Sequence, residues 1–140
     1  MTRPAQYLLD TNILSETRKK QADEKVVAFL TSADPSSIYI SILTLGELRK
    51  GVAQKRRTDP ATAAALAAWV DGLEFGFANH ILAVDTATAK VWGELSAQRP
   101  RPVIDTLLAA TAIVHELTFV TRNTSDVDDI DMTLLNPFAK

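Results

Sequence analysis

Apolar residues in this chain fall into short runs closed by polar side chains, separated by longer stretches in which they recur at helical spacing. Tyr7-Leu8-Leu9, Ile38-Tyr39-Ile40, Ile81-Leu82-Ala83-Val84 and Thr118-Phe119-Val120-Thr121 are the short runs. Each reads as a brief strand covered on both faces. A last edge strand is expected within residues 132–135. Helices are expected between these runs. One covers residues 13–18, and a second, capped by Asp23, covers 24–31. A third spans 41–55, with Ile42, Leu45, Leu48 and Val52 as its apolar stripe. Asp59 as N-cap and Pro60 at the first helical position open a fourth, which continues to Leu73. Residues 85–98 form a fifth, stopped by Arg99-Pro100-Arg101-Pro102, and residues 103–116 a sixth. Asp34-Pro35-Ser36-Ser37 is turn chemistry.

Alternating strands and helices predict an α/β fold: one domain over residues 1–140 around a mainly parallel sheet of four to five strands, flanked by helices. Parallel topology has a geometric consequence. Each crossover helix starts at the sheet edge where the preceding strand ended, so strand exits and first helical turns share one rim. Asp10 leaves the first strand there. Glu47 lies in the first turns of the helix after the second strand, and Asp105 in the first turn of the sixth helix. Asn123 and Asp126 follow the fourth strand.

Each acid also has an ordinary structural use. Asp10 can cap the next helix, Thr44 and Glu47 fit a capping box, and Asp105 suits a helix N-terminus by its charge. Asp126 is one of four Asp residues in a short tail. Asp85, at another strand exit, reads as a plain N-cap. Asp105 is the least ordinary, because it shares a face with Leu108, Ala109 and Ala112. A carboxylate on an apolar face is costly unless it is paired or holds a cation.

Composition narrows the chemistry. The chain is 46% hydrophobic and 23% charged, with a formal net charge of −2. That balance is ordinary for a globular domain and gives no global sign of a nucleic-acid binder. The absence of Cys excludes thiolate metal sites and cysteine nucleophiles. His80 and His115 are far apart and lack metal-ligand spacing. No apolar run has the length of a membrane span, and residues 1–6 lack a signal-peptide core, so a cytoplasmic protein without membrane contact is expected. Carboxylates gathered in one cleft repel one another, so either some stay protonated or a cation joins them. Oxygen ligands alone favour Mg²⁺ or Mn²⁺, the ions of phosphate chemistry.

The motifs resemble a known family. Leu8-Leu9-Asp10-Thr11-Asn12-Ile13-Leu14-Ser15-Glu16, then Ile40 through Gly51, then Ile104-Asp105-Thr106-Leu107-Leu108-Ala109-Ala110-Thr111-Ala112 and Val120-Thr121-Arg122-Asn123 are similar to PIN-domain ribonucleases of the VapC toxin type, near the FitB-like branch. Leu135-Asn136-Pro137-Phe138 also matches, so the likeness covers almost the whole chain. It implies a PIN-like three-layer fold. It also implies that Asp10 and Asp105 are principal metal ligands, that Glu47 is a third acid, and that Asp126 is the fourth. Asn12, Thr121 and Asn123 take supporting positions. Val127 stands where the family often has an aromatic residue.

The implied activity is Mg²⁺- or Mn²⁺-dependent hydrolysis of RNA, with tRNA as a candidate substrate, leaving a 5′-phosphate and a 3′-hydroxyl. Arg18, Lys19, Lys20, Arg49 and Lys50 flank the acidic rim and are candidate phosphate contacts, as are Lys55, Arg56 and Arg57. The implied partners are a small VapB- or FitA-like antitoxin, operator DNA reached only through that antitoxin, and a second copy in a homodimer or a dimer of heterodimers. The FitB-like branch also implies an alternative, a weakly catalytic or non-catalytic member of a DNA-binding regulatory complex. A haloacid-dehalogenase-type phosphatase would need an Asp at position 12, where this chain has Asn12.

Overall fold

Five short strands make one parallel sheet in the computed structural model, which describes residues 4–138. They are β1 (Tyr7–Leu9), β2 (Ile38–Ser41), β3 (Ile81–Leu82), β4 (Thr118–Val120) and β5 (Leu134–Leu135). Their order across the sheet is β3-β2-β1-β4-β5. Six α-helices accompany them: α1 (Thr11–Glu16), α2 (Glu24–Ser32), α3 (Ile42–Arg56), α4 (Pro60–Gly76), α5 (Thr86–Gln98) and α6 (Val103–Val114).

The chain builds outward from β1 to β2 and β3, then crosses back and builds the other way through β4 and β5. Right-handed crossovers place helices on opposite faces when the direction of travel reverses. The two core clusters follow that rule. On one face, Leu9, Ile38, Ile40 and Val120 pack with Ile13, Val26, Leu48 and Val70 from α1–α4. On the other, Leu8 and Phe119 pack with Leu95 and Leu108 from α5 and α6. Neighbours along β1 thus serve different cores, which explains why the strand is apolar without alternation. The direction reverses between β1 and β4, and ligands of open α/β sheets bind at the carboxyl ends of strands at such a point.

Element ends differ from the sequence expectation by a few residues. Helix α1 starts two residues early because Asp10 caps it through Thr11 N. Helix α6 ends at Val114, where Glu116 turns left-handed (φ 56°). Leu117 N then bonds Ala112 O at 2.8 Å, closing a Schellman-type end without glycine. Strand β3 keeps only Ile81–Leu82, and Val84 is exposed. Among the described residues, no helix is long and apolar enough to cross a membrane.

Candidate active site

Asp10 sits at the exit of β1 with 4% of its surface exposed. Both of its oxygens accept hydrogen bonds, and Oδ1, with a single bond, keeps an open lone pair. Oδ1 accepts from Thr11 N at 2.7 Å, while Oδ2 accepts from Thr121 Oγ1 at 2.7 Å and from Asn12 Nδ2 at 3.2 Å. Strand register explains the Thr121 contact: Leu9 pairs with Val120, so the next residues of the two parallel strands lie side by side. Thr121 Oγ1 also accepts from Asn123 N at 3.0 Å, and Asn12 Oδ1 accepts from Arg122 N at 3.4 Å. Asn12 and Thr121 therefore support Asp10 directly, and Asn123 contributes its backbone while its side chain faces solvent.

Glu47 is not part of a capping box. The N-cap of α3 is Ser41, which accepts from Leu43 N, and Glu47 reaches across to α1. Thr11 Oγ1 donates to Glu47 Oε1 at 2.6 Å and lies 3.1 Å from Thr44 Oγ1. Thr11 thus joins Asp10, through its amide, to Glu47, through its hydroxyl. Sequence reasoning missed Thr11. The available signal was a hydroxyl residue directly after the rim acid, at a first helical position where its amide needs an acceptor. Asp85 is the plain N-cap expected, accepting from Thr88 N at 2.9 Å.

Asp105 projects from the first turn of α6, whose N-cap Pro102 makes no side-chain capping bond. It is half-buried, while Leu108, Ala109 and Ala112 on its face are fully buried. Its carboxyl is close enough to that of Asp126 for the two to act on each other; Asp126 lies in a single 3-10 turn (Thr124–Asp126) after β4. Val127 fills the core behind this turn with 2% exposure, so the aromatic residue common there is not needed for packing.

Desolvation pushes the Asp105 carboxyl up to about 6, reinforced by the charges of Asp10, Asp126 and Glu47. Asp10 is also raised, mainly by burial and slightly by Glu47, although its bonds from Thr121 and Thr11 oppose the rise. The other three acids named from the sequence therefore all act on Asp105, and Glu47 also acts on Asp10. Among the described residues, no group of three or more His, Asp or Glu side chains is gathered closely enough to hold an ion by itself. Mg²⁺ does not require such a cage, because one or two carboxylates suffice when water and substrate phosphate complete its shell. The donor set is all oxygen, and a cation would offset the repulsion that adds to the burial-driven rise at Asp105. The residues fit a hard divalent ion.

The basic candidates separate into engaged and open groups. Arg49 turns onto α4, 2.6 Å from Asp71 and 2.9 Å from Glu74, so its charge is already matched and the structure does not favour it as a substrate contact. Lys19 pairs with buried Glu16 at 2.9 Å, and the Arg18 guanidinium lies over the Trp69 ring at 5.3 Å. Lys20 and Lys50 are exposed, and Lys50 lines a surface groove beside Glu47 and Ile104. His80 stacks on Tyr39 and faces Ser36 O, remote from the acids.

Comparison with known proteins agrees with this fold. The PIN-domain family model matches residues 7–131. Toxin FitB of Neisseria gonorrhoeae is 32% identical over 136 residues, covering 94% of this chain and 97% of that protein. The VapC ribonuclease Y4jK of Sinorhizobium fredii is 31% identical over 144 residues, covering 94% and 96%. Among solved structures, FitAB bound to an IR36 DNA fragment superposes with a TM-score of 0.85 at 30% identity, covering 96% of each chain.

Proposed function

Starting from the fact that the chain belongs to the PIN-domain family, we propose that it is the toxin of a toxin–antitoxin pair and cleaves RNA with the help of Mg²⁺ or Mn²⁺. One observation carries the reading: Asp10, Glu47 and Asp126 all bear on Asp105 near the reversal point of the sheet, and burial, reinforced by their charges, raises the Asp105 carboxyl to about 6.

Asp10 and Asp105 would hold the ion directly, with Glu47 and Asp126 as flanking acids. A bound divalent ion lowers the pKa of water and offsets charge on a phosphate. The chain's own residues supply the rest. Thr121, Thr11 and Asn12 hold the Asp10 carboxylate in one orientation. Thr11 keeps Glu47 turned toward the rim, where its second oxygen can orient a water. Asp105 must be ionised to act as a ligand, so the site is weakened in mildly acidic conditions. Lys20 and Lys50 are open cations that can meet RNA phosphates.

The partner proposed is a small antitoxin, with operator DNA bound through it; the similar FitAB structure, solved bound to an IR36 DNA fragment, supports this reading. A single domain over residues 1–140 and pairing with a second copy complete the reading. Likeness to that DNA-bound complex also favours a second reading, in which the protein is chiefly a regulatory partner with little cleavage.

The partner-free protein incubated with total RNA, including tRNA, under Mg²⁺, Mn²⁺ or EDTA separates the two. Discrete products that require metal and vanish in Asp105→Asn support the nuclease. Equal inactivity of wild type and variant across metals and substrates supports the regulatory partner.

A further inference from the structure

Two of the proposed acids lie on separate segments of the chain. Asp105 follows the linker between α5 and α6, and Asp126 sits on the turn after β4. A cluster outside the acidic rim joins these segments. Asp129, three residues past Asp126, accepts from Arg99 through Nε and Nη2, each at 3.0 Å. It also accepts from Arg101 through Nη1 and Nη2, each at 3.0 Å. Both of its oxygens are therefore shared by two guanidinium forks.

Exposed ion pairs are usually worth little, but this cluster is not simply exposed. The Arg101 side chain is 1% exposed and is anchored to the end of α5 by Leu95 O at 2.9 Å and Gln98 Oε1 at 2.8 Å. A buried guanidinium left without its anion is strongly unfavourable, so Arg101 fixes where Asp129 must be. Arg99 adds a bond to the turn itself, donating to Asp126 O at 3.3 Å. We propose that Arg99, Arg101 and Asp129 form a positioning clamp that sets the spacing between Asp105 and Asp126. The two carboxylates repel each other once both are ionised, and the clamp opposes the separation that repulsion favours. Asp129 is thereby a structural anion, distinct in task from Asp126, although both belong to the same acidic tail. The proposal rests on the metal-site reading above.

The test is a double-mutant cycle read by Mn²⁺ affinity of the partner-free protein, with hydrogen–deuterium exchange alongside. Arg99→Gln removes the bond to Asp126 O and the two Arg99 bonds to Asp129 but leaves the buried Arg101–Asp129 pair, so the fold is retained. Its Mn²⁺ affinity is expected to fall roughly tenfold, the usual loss when a partner that orients a ligand is removed. Exchange in residues 123–130 should quicken while the strands keep their protection. In an Asp126→Asn background, Arg99→Gln should cost no further affinity. Unchanged Mn²⁺ affinity in Arg99→Gln, or an equal loss in both backgrounds, would overturn the clamp while the metal site stands. Wild-type protein that binds no Mn²⁺ would overturn the metal site and the clamp's role with it.

Discussion

Asp10 and Thr121 are 111 residues apart in sequence and 2.7 Å apart in space, with the Thr121 hydroxyl donating to a carboxylate that is almost wholly buried. The bond opposes the desolvation that raises Asp10. Thr121→Val keeps the shape and removes the donor. Asp10 should then titrate higher still, so the acid limb of the pH–rate profile moves to higher pH. Stability should fall by about 1.5–3 kcal/mol, the range for losing a hydrogen bond to a charged group. Thr121→Ser should restore both, and an unmoved acid limb in the Val variant would refute the assignment.

Asp105 makes the metal-free protein less stable as pH rises. Its folded pKa of about 6 lies above the ordinary 3.8, so the native state binds the extra proton between those values. Stability contributed by that proton is present below about pH 4 and is lost as pH climbs through 6. Asp105→Asn should therefore raise the melting temperature at pH 7.5 by several degrees, at about 4 °C per kcal/mol for a chain of this size. At pH 4 the two proteins should melt together. The same variant should lose RNA cleavage, so stability and activity move in opposite directions.

Metal binding should show the reverse pH dependence. Mn²⁺ added at pH 7.5 should stabilise the protein more than at pH 5, because protons compete for Asp105 and Asp10 at the lower pH. Titration calorimetry in buffers of different ionisation enthalpy should detect proton release at pH 5.5 and little at pH 8.

Glu47 and Thr11 offer a separation of structure from chemistry. Glu47→Gln retains an oxygen acceptor for the Thr11 hydroxyl, so its melting temperature should stay close to wild type. Loss of the negative charge should still lower cleavage at least tenfold, about 1.4 kcal/mol of transition-state stabilisation. Wild-type kcat in this variant would reduce Glu47 to a link between α1 and α3.

Arg49 and Lys50 are adjacent on α3 but differ in surroundings. Arg49 already faces Asp71 and Glu74, whereas Lys50 is open. Lys50→Ala should reduce the salt dependence of RNA binding by about one phosphate contact. Arg49→Ala should leave that slope alone and cost up to about 1 kcal/mol of stability, the range for exposed pairs.

Much of the site was legible because topology is legible. Short apolar runs alternating with helical stripes imply a parallel sheet, and a parallel sheet puts Asp10, Glu47, Asp105 and Asp126 on one rim without any distance being known. Side-chain partnerships were less accessible. Thr44 and Glu47 have the spacing of a capping box, yet Ser41 takes the cap because β2 continues one residue further, which frees Glu47 for Thr11. Arg49 looked like a free cation because its acidic partners lie a full helix away in sequence. The four acids of the tail carry no label of their own. Only the packing of Val127 and Ile130 into the core separates Asp126, which faces Asp105, from Asp129, which faces the arginines.

Strand β1 is apolar toward both cores, with Leu8 on one side and Leu9 on the other. A slip of one residue would exchange two leucines, so oil-and-water patterning gives this central strand little protection against misalignment. Asp10 breaks the degeneracy. Moved back by one position, its carboxylate would enter an apolar layer and lose Thr121, Thr11 and Asn12 together. The acid at the heart of the site is thus also the mark by which the sheet finds its alignment. Substituting it disturbs assembly as well as chemistry, whereas Asp105, held on a helix with its own packing, can be neutralised without that second penalty.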